Sequence, residues 1–379
     1  MDRTRLRLGQ MAPDKDRTII RGKPQPVARL LLALSTVGLS EIVLDAVRMR
    51  RELREAKGRL AEMVIADDVT GPTLGAYYYH HPTAGYTFYD SGFGYTRSSS
   101  TNPPRVSIPG VGLVSTPTAI AQVALDQFGV DLLGQSSHPK GGIPTWLGLA
   151  HLLASLAANR ITPDKEPFIA WEFEWLNPSF PASGPHWISA LTTGVSMSVL
   201  LRAFQHTYRE EWLRLATAAL NGLQIPISAG GLRNSFGQGD VFEEVPTDPP
   251  TAILNGHIFA LFGLHDYWRV LRDEVSSRLF ERGVAAVIGR LDNYSSGYWS
   301  RYSELNTRLA PPFYQRLHAI QLRALGKITG ESLLTETGLR WQAQAESAYS
   351  RLRYFCGREL NRVQGRIPRG ASAVWCWGL

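Results

Sequence analysis

Residues 242–268 read FEEVPTDPPTAILNGHIFALFGLHDYW, and the fold of the chain depends on how this stretch is taken. Two adjacent carboxylates, Glu243 and Glu244, lead into a Pro-rich turn, and an apolar helix then starts near Thr251 with Asn255 and His257 in its first two turns. Apolar residues run nearly all round that helix, which is the pattern of a helix buried on every side. Two other segments open alike: WISALTTGVSMSVLLRAF from Trp187 and PFYQRLHAIQLRALGKITG from Pro312. Superposing the three places Gly194, Gly256 and His318 in register, 62 residues apart in each case.

Each opener is followed by an amphipathic helix, over 210–223, 276–291 and 331–355, so the repeating unit is an αα-hairpin. A more diverged pair precedes them at 116–128 and 146–159. Helix pairs that bury a shared face stack into a solenoid or close into an α/α toroid. The all-round apolar first helices line the interior of such a stack. They present Thr192, Thr193, Asn255, His257, Tyr314, Gln315, Arg316 and His318 at one rim.

Outward from this body the character changes. Residues 67–114 are rich in Gly, Pro, Ser, Thr and Tyr, alternating as in short strands and hairpins. Their tyrosines, Tyr77, Tyr78, Tyr79, Tyr86, Tyr89 and Tyr95, have two readings: packing of the hairpins onto the helices, which is preferred, or stacking on sugar rings. Residues 1–66 are basic at first and then apolar over Val27–Val47, where Arg29, Glu41 and Asp45 interrupt the run. The uninterrupted part is too short to span a bilayer. It reads as a docking or interfacial helix ahead of an uncleaved anchor or an export signal. The expected division is therefore 1–66, a segment that docks or associates with a membrane; 67–114, the β-element; and 115–379, the helical body.

With 379 residues of which 44% are hydrophobic, the chain is long enough to bury a large core. Lys and Arg number 40 against 33 Asp and Glu, and the resulting +7 favours an anionic partner. Basic residues are scattered rather than striped, which speaks against nucleic acid. Only Cys356 and Cys376 occur, without the spacing of a zinc site or a disulfide framework, so a cytoplasmic or membrane-associated location is favoured over secretion. P-loop, GxGxxG, HExxH and GxSxG motifs are absent from the sequence.

The succession WISALTTG, FEEVPTDPPTAILNGHIFALFGLHD, SGYWSRY and FYQRLHAIQLRAL, in that order, resembles the C-terminal domain of the D-glucuronyl C5-epimerases, which act on heparosan and heparan sulfate precursors. The resemblance runs from about Thr116 to Phe355 and is tightest over Glu243–Asp266 and Tyr314–Leu325. It implies an incomplete α/α barrel preceded by β-structure, and epimerisation at C5 of a hexuronic acid. An acidic polysaccharide or oligosaccharide is the implied partner; a homodimer is compatible with it. Polysaccharide lyase activity and a glycan-binding role without chemistry are the alternatives.

C5 epimerisation removes a proton α to a carboxylate, so the dianionic intermediate needs cations or donors around the carboxylate and acid/base groups on both faces of the ring. The positions that match the family's acid/base residues are Glu244, Tyr302 and Tyr314. Substrate contacts are expected from Arg301, Arg316, His318, Asn255 and Glu243. In the animal enzymes a tyrosine follows the second glutamate, and here that position is Val245. No cofactor is expected. Family members can bind calcium, but the oxygen-rich loop Asp292–Gly297 lacks the spacing of a calcium site and reads as a turn.

Overall fold

A computed structural model describes residues 47, 50, 51, 63–80, 103–108, 110–134, 142–237 and 239–363. Of Val27–Val47 only Val47 is described, so the docking or membrane reading lies outside the described residues, as do Tyr86, Tyr89, Tyr95 and Cys376. No helix among the described residues is long and apolar enough to cross a membrane.

The body is built from helical hairpins. The first members are α1 (Pro117–Leu132), α3 (Ala190–Thr207), α5 (Leu254–Leu271) and α7 (Pro312–Thr329); the second members are α2 (Thr145–Ser155), α4 (Glu210–Gln224), α6 (Glu274–Arg290) and α8 (Ser332–Glu346), followed by α9 (Ala348–Val363). α1 packs on α3, α3 on α5 and α5 on α7, so the first members form a continuous inner arc, and each second member lies outside its predecessor. The protein is thus mainly helical, an open α/α arrangement of hairpins. The inner helices are buried without interruption, Ala190–Ala203 on α3 and Leu254–Tyr267 on α5. On α4 only one stripe is buried, Trp212, Ala216, Ala219, Leu220 and Leu223, as its amphipathic spacing requires.

Local chemistry sets the helix ends. Thr116 Oγ1 accepts the Ala119 N–H at 3.0 Å to begin α1, and Asp273 Oδ2 accepts the Ser276 N–H at 2.7 Å to begin α6. Gly330, in the left-handed region at φ 76°, ends α7. α3 and α5 cross so closely that a Cβ at Gly194 would stand 2.6 Å from Ala260 Cα, and one at Gly263 would strike the Gly194 carbonyl. The helix starts, at 190, 254 and 312, are not evenly spaced, so the hairpin repeat holds while the strict interval of 62 residues does not survive as a structural register. Two further differences are local. The expected helix 331–355 breaks at Ser347 into α8 and α9, and the one expected over 146–159 stops at Ser155.

Among the described residues four antiparallel two-stranded sheets decorate the helices: β1 (Val64–Ile65) with β2 (Tyr79–His80), β3 (Val106–Ile108) with β4 (Gly112–Val114), β5 (Ala158–Ile161) with β6 (Pro167–Ala170), and β7 (Arg233–Phe236) with β8 (Gly239–Phe242). Residues 63–80 seal the C-terminal ends of the inner helices. Tyr77, Tyr78 and Tyr79 are buried against Phe262, so these three pack rather than face a ligand. Tyr78 Oη donates to Asp266 Oδ1 at 2.6 Å, Arg202 Nη1 donates to Asp266 Oδ2 at 2.8 Å, and Lys327 Nζ donates to the Ala66 carbonyl at 2.8 Å.

Candidate active site

At the N-terminal ends of the same helices, β8 runs into the Glu243–Ile253 connection and delivers Glu244 against the first turn of α5. The fit is close. A Cβ at position 256 would collide with the Glu244 carboxyl, so Gly256 is what lets that side chain lie flat on the helix. Asn255 Nδ2 donates to Glu244 Oε2 at 3.1 Å. Burial pushes the Glu244 carboxyl up to about 8; the Asn255 hydrogen bond opposes this and the charge of Glu243 adds to it. Glu244 is therefore mostly protonated at neutral pH.

Glu243 does different work. Its Oε2 accepts from Thr251 Oγ1 at 2.8 Å and from the Ala252 N–H at 2.9 Å, and its Oε1 accepts from Asn234 Nδ2 at 3.3 Å. Ala252 sits in the left-handed region at φ 45°, where an alanine is strained by about 1–2 kcal/mol. Glu243 from one side and the Tyr294 hydroxyl, which donates to the Ala252 carbonyl at 2.9 Å, from the other hold that turn in place. Of the two carboxylates, Glu243 thus anchors the entry to α5 and Glu244 is aimed at the interior.

The second half of the site comes from the segment preceding α7. The Tyr302 carbonyl accepts the Leu254 N–H at 3.3 Å, which fixes this segment to the start of α5. The rings of Tyr302 and Tyr314 meet edge to face with centroids 4.9 Å apart. Burial pushes the Tyr302 phenol well above its ordinary value, and the negative charge of Glu244 and then the neighbouring Tyr314 reinforce the shift. Glu244, Tyr302 and Tyr314 thus converge. Tyr314 and His318, four residues apart on α7, share a helix face with ring centroids at 6.4 Å. His318 Nδ1 lies 3.0 Å from Ser300 Oγ, and burial pushes its imidazole down to about 3, so it is neutral.

The remaining expected residues divide. Asn255 belongs to the site through its amide. Arg301 Nη1 donates to the Asn293 carbonyl at 2.8 Å on the outside of its segment, and Arg316 points toward Glu346 at 3.8 Å. The reason is periodicity: neighbours on an extended strand face opposite ways, and residues two apart on a helix do not share a side. His257 is fully engaged, with Nδ1 accepting the Phe242 N–H at 3.0 Å and Nε2 donating to the Gly283 carbonyl at 3.1 Å. That pairing holds β8 and α6 onto α5.

Sequence spacing missed Gln321, whose Nε2 donates to the Asn255 carbonyl at 3.2 Å, while Gln315, expected at the rim, accepts the Ser300 N–H through Oε1 at 2.6 Å. Asn255 Oδ1, Gln321 Oε1, Ser303 Oγ and His318 Nε2 are buried without a hydrogen-bond partner. These are groups that sugar hydroxyls could satisfy. A separate groove of about 400 Å³ opens at the other end of α5, between Trp268, Phe280, Val284 and Ile328. Glu281 and Glu331 on its edge suit it poorly to an anionic sugar. Among the described residues no three His, Cys, Asp or Glu side chains gather as a metal site.

An open arc of helical hairpins thus carries a protonated carboxyl and two phenols buried at one rim. Residues 165–343 match the family model described as D-glucuronyl C5-epimerase C-terminus. The chain is also similar to the D-glucuronyl C5-epimerase of Caenorhabditis elegans, 32% identical over 175 residues, which are 41% of this chain and 28% of that protein. An uncharacterized protein of Methanocaldococcus jannaschii is 26% identical over 181 residues, 46% of this chain and 58% of its own length. These matches support the D-glucuronyl C5-epimerase family, whose name denotes an isomerase, for the matched part of the chain, which spans under two thirds of either relative.

Proposed function

We propose that this protein inverts C5 of D-glucuronate residues in an acidic polysaccharide, yielding L-iduronate, by proton abstraction and reprotonation without a cofactor. One observation carries the reading: a buried carboxyl whose pKa is raised to about 8 acts on the first of two phenols in ring contact. A group with that pKa exchanges protons readily near neutral pH, whereas Tyr302 is a committed donor. In the forward direction the ionised fraction of Glu244 takes the C5 proton. The Tyr302–Tyr314 pair then returns one to the opposite face, and the phenolate left behind is reprotonated before the next turnover. With Val245 buried in the core at the position of the animal tyrosine, Glu244 and this phenol pair are the acid/base groups.

Incubation with a glucuronate polymer in deuterated water tests this. Deuterium at C5 together with L-iduronate is the expected result, and Glu244→Gln or Tyr314→Phe should each reduce exchange by about 10²- to 10⁴-fold. Unsaturated uronate instead of exchange would make the protein a lyase, and binding with neither product would make it a glycan-binding protein.

A further inference from the structure

The reaction leaves one requirement unmet by the residues above. Removing a proton α to a carboxylate places a second negative charge on that group, and a cation must face it. Arg301 turns outward, and Arg316 is drawn toward Glu346. The fold brings a different guanidinium to the phenols.

Between Ser300 and Ala310 the chain reverses on itself. The Tyr302 N–H donates to the Arg308 carbonyl at 3.1 Å, the Ala310 N–H donates to the Ser300 carbonyl at 2.8 Å, and Arg301 and Leu309 bridge antiparallel between these two bonds. In that register Tyr302 stands directly opposite Arg308, and directly opposed residues project from the same face. Ser300 lies on that face as well, and its hydroxyl reaches His318 on α7. Arg301 and Leu309 take the other face. Arg308 therefore shares a side with the acid/base groups. Burial lowers its pKa to about 10, opposed by the Tyr354 and then the Tyr302 phenol. A cation partly removed from water gains more from an anionic ligand than an exposed one does.

We propose that Arg308 binds the C6 carboxylate of the uronate whose C5 proton is transferred, holding it beside Tyr302 and stabilising the extra charge as it forms. This rests on the proposed function and adds to it the residue that selects an acidic over a neutral sugar. A planar guanidinium matches a carboxylate through two parallel hydrogen bonds.

Calorimetric titration of the full chain with a glucuronate-containing tetrasaccharide and with its carboxyl-reduced counterpart, in which each glucuronate is glucose, decides the matter. The wild type is expected to prefer the acidic sugar. Arg308→Gln should weaken acidic-sugar binding about 10- to 100-fold and leave the neutral one unchanged. Arg308→Met keeps the aliphatic stem and serves the same comparison if the amide variant does not fold. A wild-type preference that persists in either folded variant overturns the role of Arg308 alone. A wild type that neither prefers the acidic sugar nor exchanges deuterium at C5 overturns this role and the proposed function together.

Discussion

Two fully buried carboxylates sit at opposite ends of α5, and their surroundings could hardly differ more. Asp266 receives the Arg202 guanidinium and the Tyr78 hydroxyl, and although burial alone would raise it, these partners hold it below the usual carboxylate range. Glu244 receives one amide and lies near another carboxyl, so burial wins and lifts it to about 8. The first is an ion fastened in place and the second is a proton store. A buried acid thus becomes structural when the fold gives it a counter-charge and chemically available when the fold withholds one.

That contrast can be broken most forcefully by exchanging each acid for its amide. Asp266→Asn strands Arg202 in the interior and should lower the unfolding free energy in urea by about 3–5 kcal/mol. Glu244→Gln replaces one neutral group by another and should shift it by less than about 1 kcal/mol near pH 4.5, although it removes exchange activity. Equal destabilisation by the two variants would end the distinction.

A smaller effect appears with pH. The folded pKa of Glu244 lies above its unfolded value of 4.5, so its favourable contribution is complete below 4.5 and is lost as pH rises toward 8. His257, His265 and His318 are pushed by burial to about 4, 4 and 3, so their contribution is present above 6.5 and lost as pH falls toward those values. Between pH 6.5 and 8 the wild type should lose about 2 kcal/mol that Glu244→Gln does not lose, while both share the acid limb. Denaturant melts across that range would show it. The smallest change should come from Arg301→Ala, whose guanidinium meets a backbone carbonyl on the outer face: stability within about 0.5 kcal/mol of wild type and exchange within about twofold.

Much of this is legible in the sequence. Apolar residues on every side of the 254–271 and 190–207 helices announced an inner layer, and the four-residue spacing of Tyr314 and His318 announced a shared face. The hairpins β5–β6 and β7–β8 did not stand out, because strands of four residues are too short for alternation to be read, and β8 is buried at every position. Ser347 gave no Gly or Pro signal for the break between α8 and α9. Arg308 carries no sequence signal, since only the chain reversal between Ser300 and Ala310 sets it opposite Tyr302. Nearness in sequence pointed instead to Arg301, which strand alternation turns outward.

The crossing at Gly194 and Gly263 has a consequence for the rim. With no side chain between the two backbones, α5 has no soft layer on which to slide along α3, and its height is pinned there. Asn255 lies eight residues up the same helix, about 12 Å away. Two hydrogen atoms in place of methyl groups at that distant seam therefore set the level at which the amide meets Glu244.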